Sequence, residues 1–228
     1  FTWHIKTFTG IKSIEDGFRC YSKSIAPVQF RIDNKRSAPR EVIRAGTICI
    51  EAIFSFKTSI GKGEGVLRLH NDAVGKLRAW TLLTALNSLN SFEERLDSKR
   101  PKGFTYSKGF RGPNWLDNRQ TTAAFLNKDP AVLVVGCGQA GLSIAARLGQ
   151  LNVDTLIIDQ AERIGDNWRN RYHRLSLHNQ THVNHLPYMQ FPPNWPAYIP
   201  KDKLAGWFEA YAESMELNVW SNAKFMGG

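Results

Sequence analysis

The chain has 228 residues, 42% of them apolar, enough to bury a core in one or two domains, and no apolar run approaches the length of a membrane span. Its formal net charge of +10 is uneven: residues 1–128 hold 22 Lys and Arg against 11 Asp and Glu, while residues 129–228 hold 8 against 9. The basic residues are scattered, without a compact run or an aromatic-flanked RNA motif, which argues for a solvated basic surface and against nucleic acid. Cys20, Cys49 and Cys137 form neither a disulfide framework nor a metal-ligand spacing, so the expected compartment is reducing and cytoplasmic.

In chain order, Gly46 to Leu86 reads as antiparallel sheet. In TICIEAIFSFKT, Ile48, Ile50, Ala52, Phe54 and Phe56 alternate with Cys49, Glu51, Ser55 and Lys57, the period of a strand with one buried face, broken only by Ile53. The Gly61-x-Gly63-x-Gly65 stretch reads as a loop, and Val66–His70 and Leu77–Leu86 as two further strands, followed by a short helix through Phe92 and Leu96. GKGEGVLRLH followed by RAWTLLTAL resembles the sheet half of a nuclear-transport-factor-2-like (NTF2-like) cone. That resemblance implies an α+β domain over residues 1–97 without its usual N-terminal helices, serving packing or dimerisation. Residues 98–128 are polar and punctuated by Gly and Pro, the composition of a linker lying against its neighbours through Phe104, Tyr106, Phe110 and Trp115.

The segment Ala131 to Asp159 carries the clearest chemical signal. An apolar, β-branched run feeds Gly136-x-Gly138-x-x-Gly141, then an Ala/Leu-rich stretch, then a second apolar run, Thr155 to Ile158, ending on Asp159. Strand, tight turn, helix, strand and acid together predict a Rossmann-type α/β unit for a dinucleotide over residues 129–228. Gly136 permits the turn, Gly138 lets backbone N–H groups approach a pyrophosphate, and Gly141 lets helix and strand pack closely. The helix N-terminus faces the phosphates, and Asp159 can accept from both ribose hydroxyls.

Beyond Asp159 stand Gly165-Asp166-Asn167-Trp168, Arg174-Leu175-Ser176-Leu177-His178, Leu186-Pro187 and Tyr198-Ile199-Pro200-Lys201. With the glycine turn, these resemble the class B flavin monooxygenases, particularly the branch of the plant indole-3-pyruvate (YUCCA-type) enzymes. The resemblance spans about residues 130–228. It implies that Gly136, Gly138, Gln139, Ala140 and Gly141 wrap the pyrophosphate of FAD, and that Asp159 holds the adenosine ribose with Gln160 beside it. It further implies that Asn167 and Trp168 border the cofactor and that His178 lies toward its ring. Two positions depart from the family pattern: Asp166 stands where many relatives carry Gly, and Asp159 where most carry Glu. The implied activity is NADPH-driven insertion of one oxygen of O₂ into a small organic substrate through a flavin hydroperoxide.

Several features take plainer readings. His173, His178, His182 and His185 are crowded by Pro187, Pro192, Pro193 and Pro196 and lack a completing Cys or Glu, so no metal is expected. Cys137 reads as a small filler in the turn rather than a redox thiol. Leu204, Trp207, Phe208, Tyr211, Ala212 and Met215 recur at helical spacing, the pattern of an amphipathic helix on the sheet. No residue is assignable as a catalytic acid or base. Between Asp159 and Gly228 no second G-x-G-x-x-G occurs, so the NADPH site and the substrate pocket are expected elsewhere. A chain opening on Phe1 and stopping soon after LNVW reads as part of a longer protein, truncated in both domains. The competing functions are an NAD(P)-dependent dehydrogenase and a non-catalytic flavin-binding or NTF2-like interaction module, and the first domain leaves a homo-oligomer open.

Overall fold

A computed structural model describes residues 5–101 and 111–227, and the chain divides into two compact units, Phe1–Glu93 and Glu94–Gly228. The expected contacts of Phe104, Tyr106 and Phe110 lie outside the described residues.

The first unit begins with a helix, α1 (Ile11–Ile25), where the sequence reading expected none. Ile11, Ile14, Phe18, Tyr21 and Ile25 give it an apolar stripe, and Ala26, in the left-handed conformation, ends it by donating its N–H to Ser22 O. A five-stranded antiparallel sheet follows: β1 (Val28–Ile32), β2 (Arg40–Arg44), β3 (Thr47–Lys57), β4 (Gly61–Asn71) and β5 (Leu77–Leu89). The order is β1-β3-β4-β5, with β2 also on β3. The sheet thus starts earlier than Gly46 and ends later than Leu86.

The glycine run expected as a loop is the first half of β4. Gly63 pairs with Phe56 and Gly65 with Phe54, and a Cβ at either glycine would fall 2.3–2.4 Å from those rings. Glycine is required there because the phenylalanines lie across the neighbouring strand. The break in alternation at Ile53 is explained by the second face, where Ile53, Val66 and Leu83 align. Also on that second face, Glu51 is buried beneath Arg40, Arg44 and Arg68, with ion pairs of 2.8–3.1 Å. Hydrogen bonds from Arg68 and then Arg44 hold its carboxyl below the ordinary glutamate range. Instead of a helix through Phe92 and Leu96, the structure shows a bridge between Leu89 and Phe92 and a single 3₁₀ turn, Asp97–Lys99.

The second unit contains a three-stranded parallel sheet, ordered β6 (Val132–Val135), β7 (Thr155–Ile158), β8 (Asn218–Trp220). Central β7 is buried throughout. Within the stretch expected as linker, Asn114 and Asp117 form a reciprocal cap that starts α2 (Trp115–Ala124). The Nε1 groups of Trp115 and Trp220 donate to Glu216 and Ala123 O respectively, tying α2 to the β8 region. Helices α3 (Gln139–Gln150), α4 (Asp166–Arg169) and α5 (Lys201–Ser214) complete the unit. Leu142, Ala146, Ile157, Leu204, Phe208 and Tyr211 form the core between α3, α5 and the sheet. The amphipathic pattern read from Lys201 onward is therefore a helix buried along one side. Among the described residues, no helix is long and apolar enough to cross a membrane.

Candidate dinucleotide-binding site

The turn between β6 and α3 is built by its three glycines. Gly136 has φ +98°, a conformation that side chains disfavour. A Cβ on Gly141 would lie 2.0 Å from Gly136 O and 3.3 Å from Val134 Cγ1, so only glycine lets the helix pass over the strand end. Gly138 differs: its φ is −83°, and a Cβ there would meet only Asn167 Nδ2, at 3.2 Å. Its missing side chain leaves room above the turn rather than relieving the backbone.

Gly138 is also the N-cap of α3 and supplies no side-chain cap. The first helical hydrogen bond runs from Leu142 N to Gly138 O, so the N–H groups of Gln139, Ala140 and Gly141 precede the intrahelical ladder. Those donors lie at the positive end of the helix, where negative charge is favoured, beside the exposed Gln139 and Ala140.

Asp159 ends β7 beside this turn. Its Oδ2 accepts from Cys137 N at 2.6 Å and its Oδ1 from Ala161 N at 2.8 Å. A carboxylate offers about four lone-pair sites, so Asp159 can brace the turn and still accept from another group. The aspartate at this position therefore reaches the turn backbone directly. Cys137 is buried, and burial, followed by the nearby Asp159 charge, pushes its thiol up to about 12. A thiol in that state is a filler, not a nucleophile.

Helix α4 brings Asn167 to the same place, and Trp168, next to it on the helix, packs against the core. Gly165 (φ +91°) precedes it, with Asp166 at its first position. Only Gly165 needs to be glycine, which explains why Asp166 is tolerated. Asp166 accepts from Arg169 at 2.9 Å and from Arg163 N at 3.0 Å, and Arg169 foremost keeps its carboxyl below the usual range. Trp168 Nε1 is buried without a hydrogen-bond partner, and the Arg171 guanidinium sits 5.0 Å from the Trp168 ring centroid. A buried indole N–H without an acceptor is costly, and Trp207 Nε1 and Asn218 Oδ1 share that condition in this unit.

Other expected residues lie further from this cluster's bonding. Gln160 is exposed beside Asp159. His178 is exposed and has no hydrogen-bond or ion-pair partner among the described residues. Its segment is held by Leu177 N donating to Ile199 O and Lys201 N donating to Leu175 O. Of the other histidines, His185 accepts from Phe191 N, and no three His, Cys, Asp or Glu side chains among the described residues could hold a metal.

Sequence reading missed the polar supports. Glu94 accepts from both Tyr188 and Arg147, and Arg147 also lies 4.9 Å from the Tyr188 ring centroid. Tyr188, at φ +68°, is thus fixed beside Pro187, whose carbonyl accepts from Tyr211. These contacts join residues far apart in the chain, and no local spacing signals them.

This strand–turn–helix–strand arrangement is a Rossmann-type β-α-β unit, and the family described as NAD(P)-binding Rossmann-like domain matches residues 134–195. Among curated proteins, the chain is similar to an uncharacterized CzcO-like oxidoreductase of Geobacillus kaustophilus, 39% identical over 93 residues, covering 41% of this chain and 27% of that protein. It is also similar to indole-3-pyruvate monooxygenase YUCCA1 of Oryza sativa subsp. japonica, 36% identical over 98 residues, covering 42% and 24% of the two chains. A solved flavin-containing monooxygenase from Stenotrophomonas maltophilia matches 39% of this chain and 27% of its own, at 24% identity and a TM-score of 0.36. The chain spans about a quarter of the length of the curated relatives it matches.

Proposed function

We propose that residues 129–228 are the FAD-binding part of an FAD- and NADPH-dependent monooxygenase acting on a small organic substrate. The observation that carries this reading is the joint placement of Asp159 and Asn167 at the Gly136–Gly141 turn, with uncapped α3 donors between them. The similarity to YUCCA1 supports a monooxygenase reading, and the resemblance of residues 130–228 to the class B flavin monooxygenases favours flavin over nicotinamide at this turn.

The residues present fit the group. Gly136, Gly138, Gln139, Ala140 and Gly141 would hold the pyrophosphate through backbone donors. Asp159 would accept from the ribose, with Gln160 beside it. Asn167 and Trp168 would border the cofactor, Trp168 Nε1 gaining an acceptor, and His178 would lie on the ring side. When bound, FAD would supply the redox chemistry for NADPH-driven oxygen transfer. The chain's own task is to orient the cofactor and exclude water from it. NADPH would bind at a second site outside these residues. For residues 1–97 the reading remains an NTF2-like packing or dimerising domain, supported by an antiparallel sheet with a helix at its start.

The test is titration of the natural protein carrying this chain with FAD and, separately, with NADPH. FAD binding at stoichiometry one, with a visible flavin spectrum and weakened about 10- to 150-fold by Asp159→Ala, is expected from the loss of charge-assisted hydrogen bonds. NADPH bound at this turn in place of FAD, sensitive to Asp159→Ala, would instead favour a dehydrogenase.

A further inference from the structure

We infer that Lys201 is a positioning residue for the cofactor, fixing α4 so that Asn167 is presented at the glycine turn. The inference rests on the FAD reading above. Lys201 is 6% exposed, the only buried charged side chain among the described residues of the second unit. Its Nζ donates to Arg169 O at 2.8 Å and to Asp202 Oδ1 at 2.9 Å. Arg169 is the last residue of α4, so this ammonium closes the helix at its carbonyl end. A one-turn helix does not hold its shape unaided. Its geometry must come from what it lies on.

What it lies on is one stripe of α5. Lys201, Ala205 and Glu209 recur at four-residue spacing and so share a face. Lys201 binds the end of α4. A Cβ on Gly165 would lie 2.6 Å from Ala205 O, so the start of α4 sits directly on the α5 backbone. Glu209 takes Arg169 at 2.8 Å and Arg163 at 2.9 Å, anchoring the outer side. Helix α4 is thereby pinned at both ends and along one edge, and it carries Asn167, whose Nδ2 lies 3.2 Å from where a Gly138 Cβ would stand. An apolar side chain of similar length would fill the Lys201 volume at a lower desolvation cost. A donor is what the backbone of α4 gains from lysine.

The experiment is a double-mutant cycle on the natural protein, pairing Lys201→Met with Asn167→Ala. FAD affinity is read by titration, and the visible-region circular dichroism of bound flavin serves as a second readout. Lys201→Met is expected to weaken FAD about tenfold or more and to alter the flavin dichroism, with Lys201→Arg recovering part of both. Asn167→Ala is expected to cost much less in the Lys201→Met background than alone, because a displaced α4 no longer presents Asn167. Should Lys201→Met fail to fold, Lys201→Gln carries the same cycle with a shorter donor. Additive effects, or unchanged affinity and dichroism, would overturn the role of Lys201 alone. Absence of FAD binding in the unaltered protein would overturn the cofactor reading and this inference together.

Discussion

Gly61, Gly63 and Gly65 line one face of β4, whereas Gly136, Gly138 and Gly141 wrap the turn from β6 into α3. Both are runs of three glycines at short spacing. In the first, the even spacing matches the period of a strand, so all three missing side chains fall on the face that Phe54 and Phe56 occupy. In the second, the wider last step moves Gly141 into a helix, where it meets the strand end, while Gly138 opens toward solvent. The spacing decides whether absent side chains make room for the protein's own rings or for something else.

Breaking the second run should have the largest effect. Gly141→Val would drive a Cβ into Gly136 O and is expected to destabilise the second unit by about 3 kcal/mol or more, abolishing FAD retention, as read by urea denaturation and flavin content. Breaking the first run should separate the units. Gly65→Val would meet Leu83 O and the Phe54 ring, lowering the stability of the first unit by about 1–3 kcal/mol. FAD affinity should not change, and a loss of affinity would show that the two runs are not independent.

A pH series sharpens the contrast on the charged face of the first sheet. The Glu51 carboxyl is held below its ordinary value of 4.5, so its contribution to stability is present above that value and lost as pH falls through its lowered folded value. Thermal melts below pH 4.5 should therefore decline more steeply in the unaltered protein than in Glu51→Gln. Equal slopes would show that the three arginines contribute nothing through Glu51. The smallest effect concerns the turn's own thiol. With its thiol raised to about 12, Cys137 should resist alkylation at pH 8 along with buried Cys49, while exposed Cys20 reacts. Labelling of Cys137 in the native protein would show that the turn opens.

The second unit was the more legible in sequence because its elements are local. β6, α3 and β7 each follow from a contiguous pattern, and Asp159 falls at the strand end where the run stops. The first unit hid its glycine strand because the reason for those glycines lies on β3, visible only once Phe54 and Phe56 are paired with Gly65 and Gly63. Helix α1 is not expected, although Ile11, Ile14, Phe18 and Tyr21 carry a helical spacing, because the usual N-terminal helices of the resembling domain are read as absent. At the site, the glycines and acid were readable, but the supports from Lys201, Glu209 and Arg163 were not, because they act between elements 30 to 50 residues apart.

Gly138→Val tests the central claim most directly, since the backbone at Gly138 is permissive and its Cβ would meet only the Asn167 amide. FAD titration and urea denaturation of this variant of the natural protein should show affinity at least about tenfold weaker, with stability within about 1 kcal/mol of the unaltered protein. Unchanged FAD affinity would contradict the assignment of this turn as the cofactor's phosphate site.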